Sequence, residues 1–170
     1  SDSPNWAGLT GIDGIGGVLV NSLVTTFVQP AEREQGRALS YDLLDLGSGE
    51  RIPLATLRPR LRDDGPGYLF DEAGWSWAAE RIVAARRGAE VVGVDELGRL
   101  EADLGQGHLL PLLTPVEGER VRCYLLGVRA DRVERLAERL GGFDALVSVP
   151  LGPSERAGLI ERIVRHCRGA

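Results

Sequence analysis

Two adjacent carboxylates, Asp95 and Glu96, directly follow the apolar run at residues 91–94. An acidic pair in this position can hold a hydrated Mg²⁺ ion and can orient or deprotonate a water molecule that attacks a phosphate. Alternatively, an Asp at the end of a buried strand is only a helix cap or a turn former. The pair is the first candidate site in the chain.

Length, composition and charge limit the class of protein. The chain has 170 residues, of which 43% are hydrophobic and 26% are charged, as is typical of one globular domain. A nucleic-acid-binding protein normally has a basic face, so the formal net charge of −5 argues against such a partner. All 20 basic residues are arginine. The two cysteines form no Cys-x-x-Cys or Cys/His cluster and predict no zinc site.

The apolar runs of the chain are short. None approaches the roughly 20 residues that a membrane-spanning helix needs. The run at residues 18–28 has no basic residue before it, so it does not resemble a signal peptide. We therefore predict a soluble, cytoplasmic protein without a membrane partner.

Turn residues and helix-cap residues predict the strands and helices that surround the acidic pair. Residues 38–46 and 51–56 flank a Gly-rich turn at 47–50 and predict a β-hairpin. Asp71 is a good N-cap for an amphipathic helix that ends near Gly88. Further elements are predicted downstream: a strand at 90–95, an apolar run at 120–128, a helix capped by Asp131, a strand at 145–149 and a helix from Ser154 to about His166.

Short apolar strands that alternate with helices are typical of βαβ units. We therefore predict an α/β fold for residues 1–170 as a single domain: a three-layer sandwich around a mainly parallel sheet, with a β-hairpin insertion. Ligands of such sheets bind beyond the carboxyl ends of the strands, where Asp95 and Glu96 are expected to lie.

The segment at residues 91–101 resembles the Walker B segment of a family of small P-loop nucleoside-triphosphatases, the thermophile-type or cancer-related NTPases. In that family an apolar strand ends in Asp-Glu, followed by an apolar residue, Gly, a basic residue and an apolar-Glu pair. The matching residues are Asp95, Glu96, Gly98, Arg99 and Glu101. Residues 26–41 are similar to the family's post-helix strand and hairpin. Residues 153–156 are similar to its Pro-x-Asn-Arg element, in which Arg156 matches and Glu155 replaces Asn.

The resemblance implies slow, Mg²⁺-dependent hydrolysis of nucleoside triphosphates. Asp95 would then hold the metal, mostly through a coordinated water molecule, and Glu96 would be the catalytic residue that orients or deprotonates the attacking water. Arg156 could approach the nucleotide, although a surface arginine in a first helical turn explains it equally well.

The family's phosphate loop should lie at residues 10–18, and residues 1–25 diverge from the family. Against Gly-x-x-x-x-Gly-Lys-Ser/Thr, Gly11 and Gly16 match, whereas Gly17 and Val18 replace the lysine and the hydroxyl residue. Two lost contacts of roughly 1.5–3 kcal/mol each would weaken binding about 10²- to 10⁴-fold. Backbone N–H groups around Gly11, Gly14, Gly16 and Gly17 could still cradle an anion.

These residues predict a family member with impaired phosphate binding, a pseudo-NTPase that serves as a scaffold or regulatory subunit for a protein partner or a second copy. The alternative is a weak nucleoside-triphosphatase that binds Mg²⁺ with the nucleotide and hydrolyses ATP or GTP.

A lesser alternative concerns residues 9–23, which follow the helix-hairpin-helix pattern around Gly14-Ile15-Gly16. This segment resembles the hairpins of NAD-dependent DNA ligases, in which backbone amides of the turn bind DNA phosphate. No basic residue lies between Ser1 and Gln29, and a second hairpin is missing. Since phosphate affinity depends heavily on basic residues, these features argue against DNA binding.

Overall fold

The computed structural model describes residues 24–58, 67–144, 146 and 153–168. Within these residues seven strands form one sheet in the order β5-β4-β3-β1-β6-β7, with β2 beside β3. The strands are β1 Val24–Val28, β2 Ala31–Glu34, β3 Arg37–Asp45, β4 Arg51–Leu57, β5 Tyr68–Phe70, β6 Val91–Leu97 and β7 Cys123–Val128. The helices are α1 Glu72–Gly88, α2 Arg99–Leu104, α3 Leu109–Leu113, α4 Val133–Leu140 and α5 Pro153–Arg168, with a 3₁₀ turn at Ala130–Arg132.

The sheet has an antiparallel half and a parallel half. β1, β6 and β7 run parallel to one another, whereas the pairs β1–β3, β2–β3, β3–β4 and β4–β5 are antiparallel. The predicted mainly parallel three-layer sandwich is therefore wrong. Close successive strands such as β2, β3 and β4 pair through tight turns, which only antiparallel neighbours allow, whereas a parallel pair needs a long crossover. The predicted hairpin exists as β3 and β4, but it is part of the main sheet and not an insertion.

Helix α1 confirms the prediction made from its cap and its apolar spacing. The Asp71 side chain accepts a hydrogen bond from the Ala73 N–H at 2.8 Å, which satisfies one of the free donors of the first turn. Ala78, Ile82 and Ala85 are buried on one face of the helix. This face packs against the sheet and fixes one wall of the core.

The core surrounds β6. Val92 and Val94 are fully buried together with Phe27 and Leu136. Val91 is also buried, at 3% exposure, and successive strand residues point to opposite faces of a sheet. Both faces of β6 are thus covered, which holds the strand with the acidic pair in a rigid setting.

The three predictions for the C-terminal part of the chain have different outcomes. Helix α5 is present where a final helix is expected. Asp131 lies in the 3₁₀ turn, and α4 has no side-chain cap, so the predicted capping role of Asp131 is wrong. Apart from Leu146, the predicted strand at 145–149 lies outside the described residues, as does the segment 1–23. No helix in the described part of the chain is long and apolar enough to cross a membrane.

Candidate functional site

Strand β6 contains a bulge at Asp95 and Glu96. Val94 pairs with Leu126 and Leu97 pairs with Val128, so three steps along β6 face two steps along β7. Glu96 has φ 60°, in the left-handed region, where an L-residue is disfavoured by about 1–2 kcal/mol. Bulges re-aim side chains next to binding sites, and such strained residues concentrate at functional sites. The pair lies near the carboxyl end of the strand, which extends to Leu97, two residues beyond the predicted end at Asp95.

Gly127 on β7 makes room for the bulge. A methyl group at this position would lie 2.6 Å from Asp95 Oδ1 and 3.2 Å from the Glu96 backbone nitrogen. Asp95 is partly buried, whereas Glu96 is exposed. The bulge therefore separates the two carboxylates, with one against the neighbouring strand and the other in solvent.

The acidic pair lies at the edge where three parallel strands end. Gln29 follows β1 and Arg129 follows β7. The backbone N–H of Arg129 donates to the carbonyl of Leu97 at 3.3 Å. Residues with carboxylate, amide and guanidinium side chains thus lie at the ends of neighbouring strands, at one edge of the sheet. Polar groups beyond the carboxyl ends of parallel strands are the usual ligand-binding position of such sheets.

Two polar side chains, the half-buried Gln29 and the buried His108, support the bulge. Gln29 Nε2 donates to the Asp95 carbonyl at 3.3 Å and lies 3.0 Å from His108 Nε2. Since the Gln29 amide is the donor in both contacts, we assign His108 Nε2 as an acceptor and place the proton on Nδ1. His108 is 1% exposed, and burial lowers its pKa to about 4, so the ring is neutral at pH 7.

The His108 ring is enclosed on its other side. The Trp75 ring meets it edge-on, with centroids 4.7 Å apart. Within the described part of the chain, His108 Nδ1 has no hydrogen-bond partner. A buried, neutral imidazole thus accepts a hydrogen bond from Gln29 and thereby positions the amide that binds the carbonyl of Asp95.

Glu101 ties the segment after the bulge to the loop before α3. Its carboxylate accepts hydrogen bonds from the Gly98 N–H at 2.9 Å and the His108 N–H at 3.1 Å. Glu101 is 3% exposed, and burial raises its pKa, while these hydrogen bonds act in the opposite direction. Gly107 allows this contact, since a methyl group there would lie 2.2 Å from Glu101 Oε1. The glutamate that matches the Walker B pattern thus has a structural role here.

The predicted site residues are only partly described. Asp95 and Glu96 lie together on the bulge. Gly11, Gly14, Gly16 and Gly17 lie outside the described residues. Arg156 falls within α5, but its side chain lies outside the described part. Among the described residues no three His, Cys, Asp or Glu side chains form a metal-binding group, so a Mg²⁺ role of Asp95 stays a prediction.

The sequence reasoning missed three residues at this edge. Gln29 and Arg129 directly follow apolar runs, and this position in parallel strands was the signal that could have found them. His108 follows Gly105-Gln106-Gly107, a run that predicts a loop and gives no signal of burial. It does lie in a turn, but it is buried against Gln29 and Trp75.

Comparisons with known proteins give a local similarity. No family model matches the chain, and no solved structure matches it. A DNA ligase of Cereibacter sphaeroides is 45% identical over 53 residues, which cover 31% of this chain and 8% of the ligase. The match spans less than a tenth of that protein's length, so the ligase's activity is not carried over to this chain.

Proposed function

We propose that the chain is a nucleoside-triphosphatase relative with impaired phosphate binding, which acts as a scaffold or regulatory subunit. The observation that carries the proposal is the bulge at Asp95 and Glu96, at the carboxyl edge of three parallel strands, in a chain that contains no lysine. Acidic residues at such an edge suit a hydrated Mg²⁺ ion and an attacking water. The phosphates of the nucleotide also need a cation, and the loop at residues 10–18 contains none.

Nucleotide affinity tests this proposal. We expect calorimetric titration with ATP or GTP and Mg²⁺ to give millimolar or weaker binding. The double substitution Gly17→Lys and Val18→Thr restores the two missing phosphate-loop groups and should strengthen binding about 10²- to 10⁴-fold. Gly17→Gln with Val18→Ala is the matched control, because it changes the same positions without adding a cation or a hydroxyl. Micromolar binding by the native protein would contradict the proposal.

A working, weak Mg²⁺-dependent nucleoside-triphosphatase is the second candidate. The left-handed conformation of Glu96 favours it, because backbone strain is often kept at residues that act on a ligand. In this candidate Glu96 orients the attacking water, and backbone N–H groups alone cradle the phosphates. The two candidates differ in one property: only the enzyme releases phosphate at a rate that depends on Glu96.

DNA binding through residues 9–23 is a third candidate, because these residues follow the helix-hairpin-helix pattern around Gly14-Ile15-Gly16. It requires a mobility shift of duplex DNA that weakens with salt and disappears in Gly14→Val, since a side chain at the turn would keep backbone amides away from phosphate. The net charge of −5 works against such binding. If the native protein causes no shift at low salt, this candidate is excluded.

A further inference from the structure

We propose that Arg129 supplies a cation to a triphosphate bound at the edge formed by Asp95 and Glu96. This inference rests on the proposed function and names the group on which the remaining phosphate affinity depends. No arginine lies between Ser1 and Gln29, so a cation must come from elsewhere in the chain.

The backbone places Arg129 beside the segment that leaves the bulge. The backbone N–H of Arg129 donates to the Leu97 carbonyl at 3.3 Å. Its side-chain stem runs past Gly98, where a methyl group would lie 3.5 Å from Arg129 Cδ. β7 is the direct neighbour of β6, and Gly127, two residues before Arg129, adjoins Asp95. Arg129 therefore directly follows the strand that neighbours the carboxylate-bearing strand, at the same edge of the sheet.

The present partner of Arg129 can be exchanged at little cost. Asp131 accepts from Arg129 Nε and Nη2, both at 3.2 Å, and the two side chains are 51% and 52% exposed. An exposed ion pair of this kind contributes roughly 0–1 kcal/mol. Asp131 also lies 3.5 Å from Arg132 Nη1, so its charge keeps a partner when Arg129 turns away. A phosphate chain offers more negative charge and the bidentate geometry that a guanidinium prefers.

The neighbouring arginines are engaged in the fold itself. Arg135 donates to Asp103 at 2.6 Å, and Arg132 lies 3.6 Å from the same carboxylate. Arg139 donates to the carbonyls of Ala102 and Asp103 at the end of α2. These contacts fasten α4 to α2, so recruiting those side chains would loosen the packing. Among the described residues, the side-chain hydrogen bonds of Arg129 go to Asp131, two positions away on the same turn.

Calorimetric titration at low ionic strength with Mg²⁺–tripolyphosphate and with Mg²⁺–ATP tests the inference. Arg129→Ala should weaken binding of both anions about 10- to 100-fold, and Arg129→Lys should restore part of the loss, because the charge returns without the guanidinium fork. Asp131→Asn should strengthen binding up to about fivefold, since it removes the competing carboxylate. Arg120→Ala is the matched control, an exposed arginine before the other end of β7, and should bind as the native protein does.

Equal affinity of the native protein and Arg129→Ala would overturn the inference, as would an equal loss in Arg120→Ala, which would indicate general charge attraction. If neither the native protein nor Asp131→Asn binds either anion, the inference also fails, whereas the scaffold role of the proposed function does not require bound nucleotide. Failure of the proposed function has a different signature: micromolar ATP binding by the native protein, or phosphate release that depends on Glu96.

Discussion

Glu96 and His108 both have local states that are unusual for their residue types. Glu96 is a non-glycine residue with φ 60°, and His108 is an imidazole with 1% of its surface exposed. They act on the same bulge: Glu96 forms it, and His108 holds Gln29, which binds the carbonyl of Asp95. Neither state could be predicted from the sequence, because both depend on residues far away along the chain.

The strain at Glu96 predicts a measurable gain from glycine. Glu96→Gly should raise the free energy of unfolding by about 0.5–1 kcal/mol, because glycine accepts a left-handed conformation, partly offset by the greater freedom of glycine in the unfolded chain. Glu96→Gln keeps the strain and serves as the control for loss of charge. Urea denaturation measures both variants. A lower stability of Glu96→Gly than of Glu96→Gln would contradict a strained native backbone.

Burial of His108 predicts a pH dependence of stability. The folded pKa is about 4, below the ordinary value of about 6.5, so the unfolded chain binds more protons between these values. The stability that belongs to the neutral His108 should therefore be fully present above pH 6.5. The free energy of unfolding should fall by about 3 kcal/mol as the pH decreases from 6.5 to about 4.

His108→Phe provides the comparison, because it keeps a ring against Trp75 and cannot titrate. Its free energy of unfolding should lack the part of the slope that belongs to His108, while carboxylate titrations common to both proteins cancel in the difference. Denaturation in urea at several pH values measures this difference, and His108→Gln is the second variant if phenylalanine is not accommodated. Parallel pH profiles would show that His108 is not buried and neutral.

Among the helices and strands, those whose determining contacts lie close together in the sequence could be predicted best. The cap at Asp71 and the apolar spacing after it lie within one helix, and α1 was predicted with its ends close to those observed. The bulge depends on β7, whose Gly127 leaves the space that Asp95 occupies. The direction of strand pairing likewise depends on partners, so the antiparallel half of the sheet was misassigned. The phosphate loop at 10–18 lies outside the described residues.

Gly127→Ala tests whether the bulge needs this space. The added methyl group would meet Asp95 Oδ1 at 2.6 Å and the Glu96 backbone nitrogen at 3.2 Å, so either the strands or the Asp95 side chain must shift. We expect a loss of about 1–3 kcal/mol in the free energy of unfolding. Gly88→Ala is the control, because a methyl group there meets nothing within 4 Å, and it should be neutral or stabilising. Equal stability of the two variants would contradict the packing at the bulge.

Across the molecule, the buried guanidinium of Arg86 joins segments that precede and follow β6 in the sequence. Arg86 on α1 forms an ion pair with Glu119 at 2.7 Å and donates to the carbonyls of Pro111 and Thr114. Its side chain is 5% exposed, so its charge depends on these partners. The hydrogen bonds to Glu119 raise the pKa of Arg86 and lower that of Glu119. The contact fastens the segment between α3 and β7, and thereby helps to fix β7, which contains Gly127 and leads into Arg129.

Arg86→Leu should therefore lower the free energy of unfolding by about 3 kcal/mol, since it leaves two carbonyls and a carboxylate without their donor. Arg87→Leu is the matched control, because the neighbouring side chain is exposed. Thermal or urea denaturation of both variants measures the difference. Similar stabilities would contradict the importance of this buried cation.

Under the proposed function, the chain keeps the carboxylate edge of a phosphate-hydrolysing site while its phosphate-binding half is impaired. Phosphate release from Mg²⁺–ATP by the native protein and by Glu96→Gln tests this claim most directly. We predict that both proteins release phosphate at the same background rate. Phosphate release by the native protein that Glu96→Gln abolishes would contradict the account and establish a working nucleoside-triphosphatase.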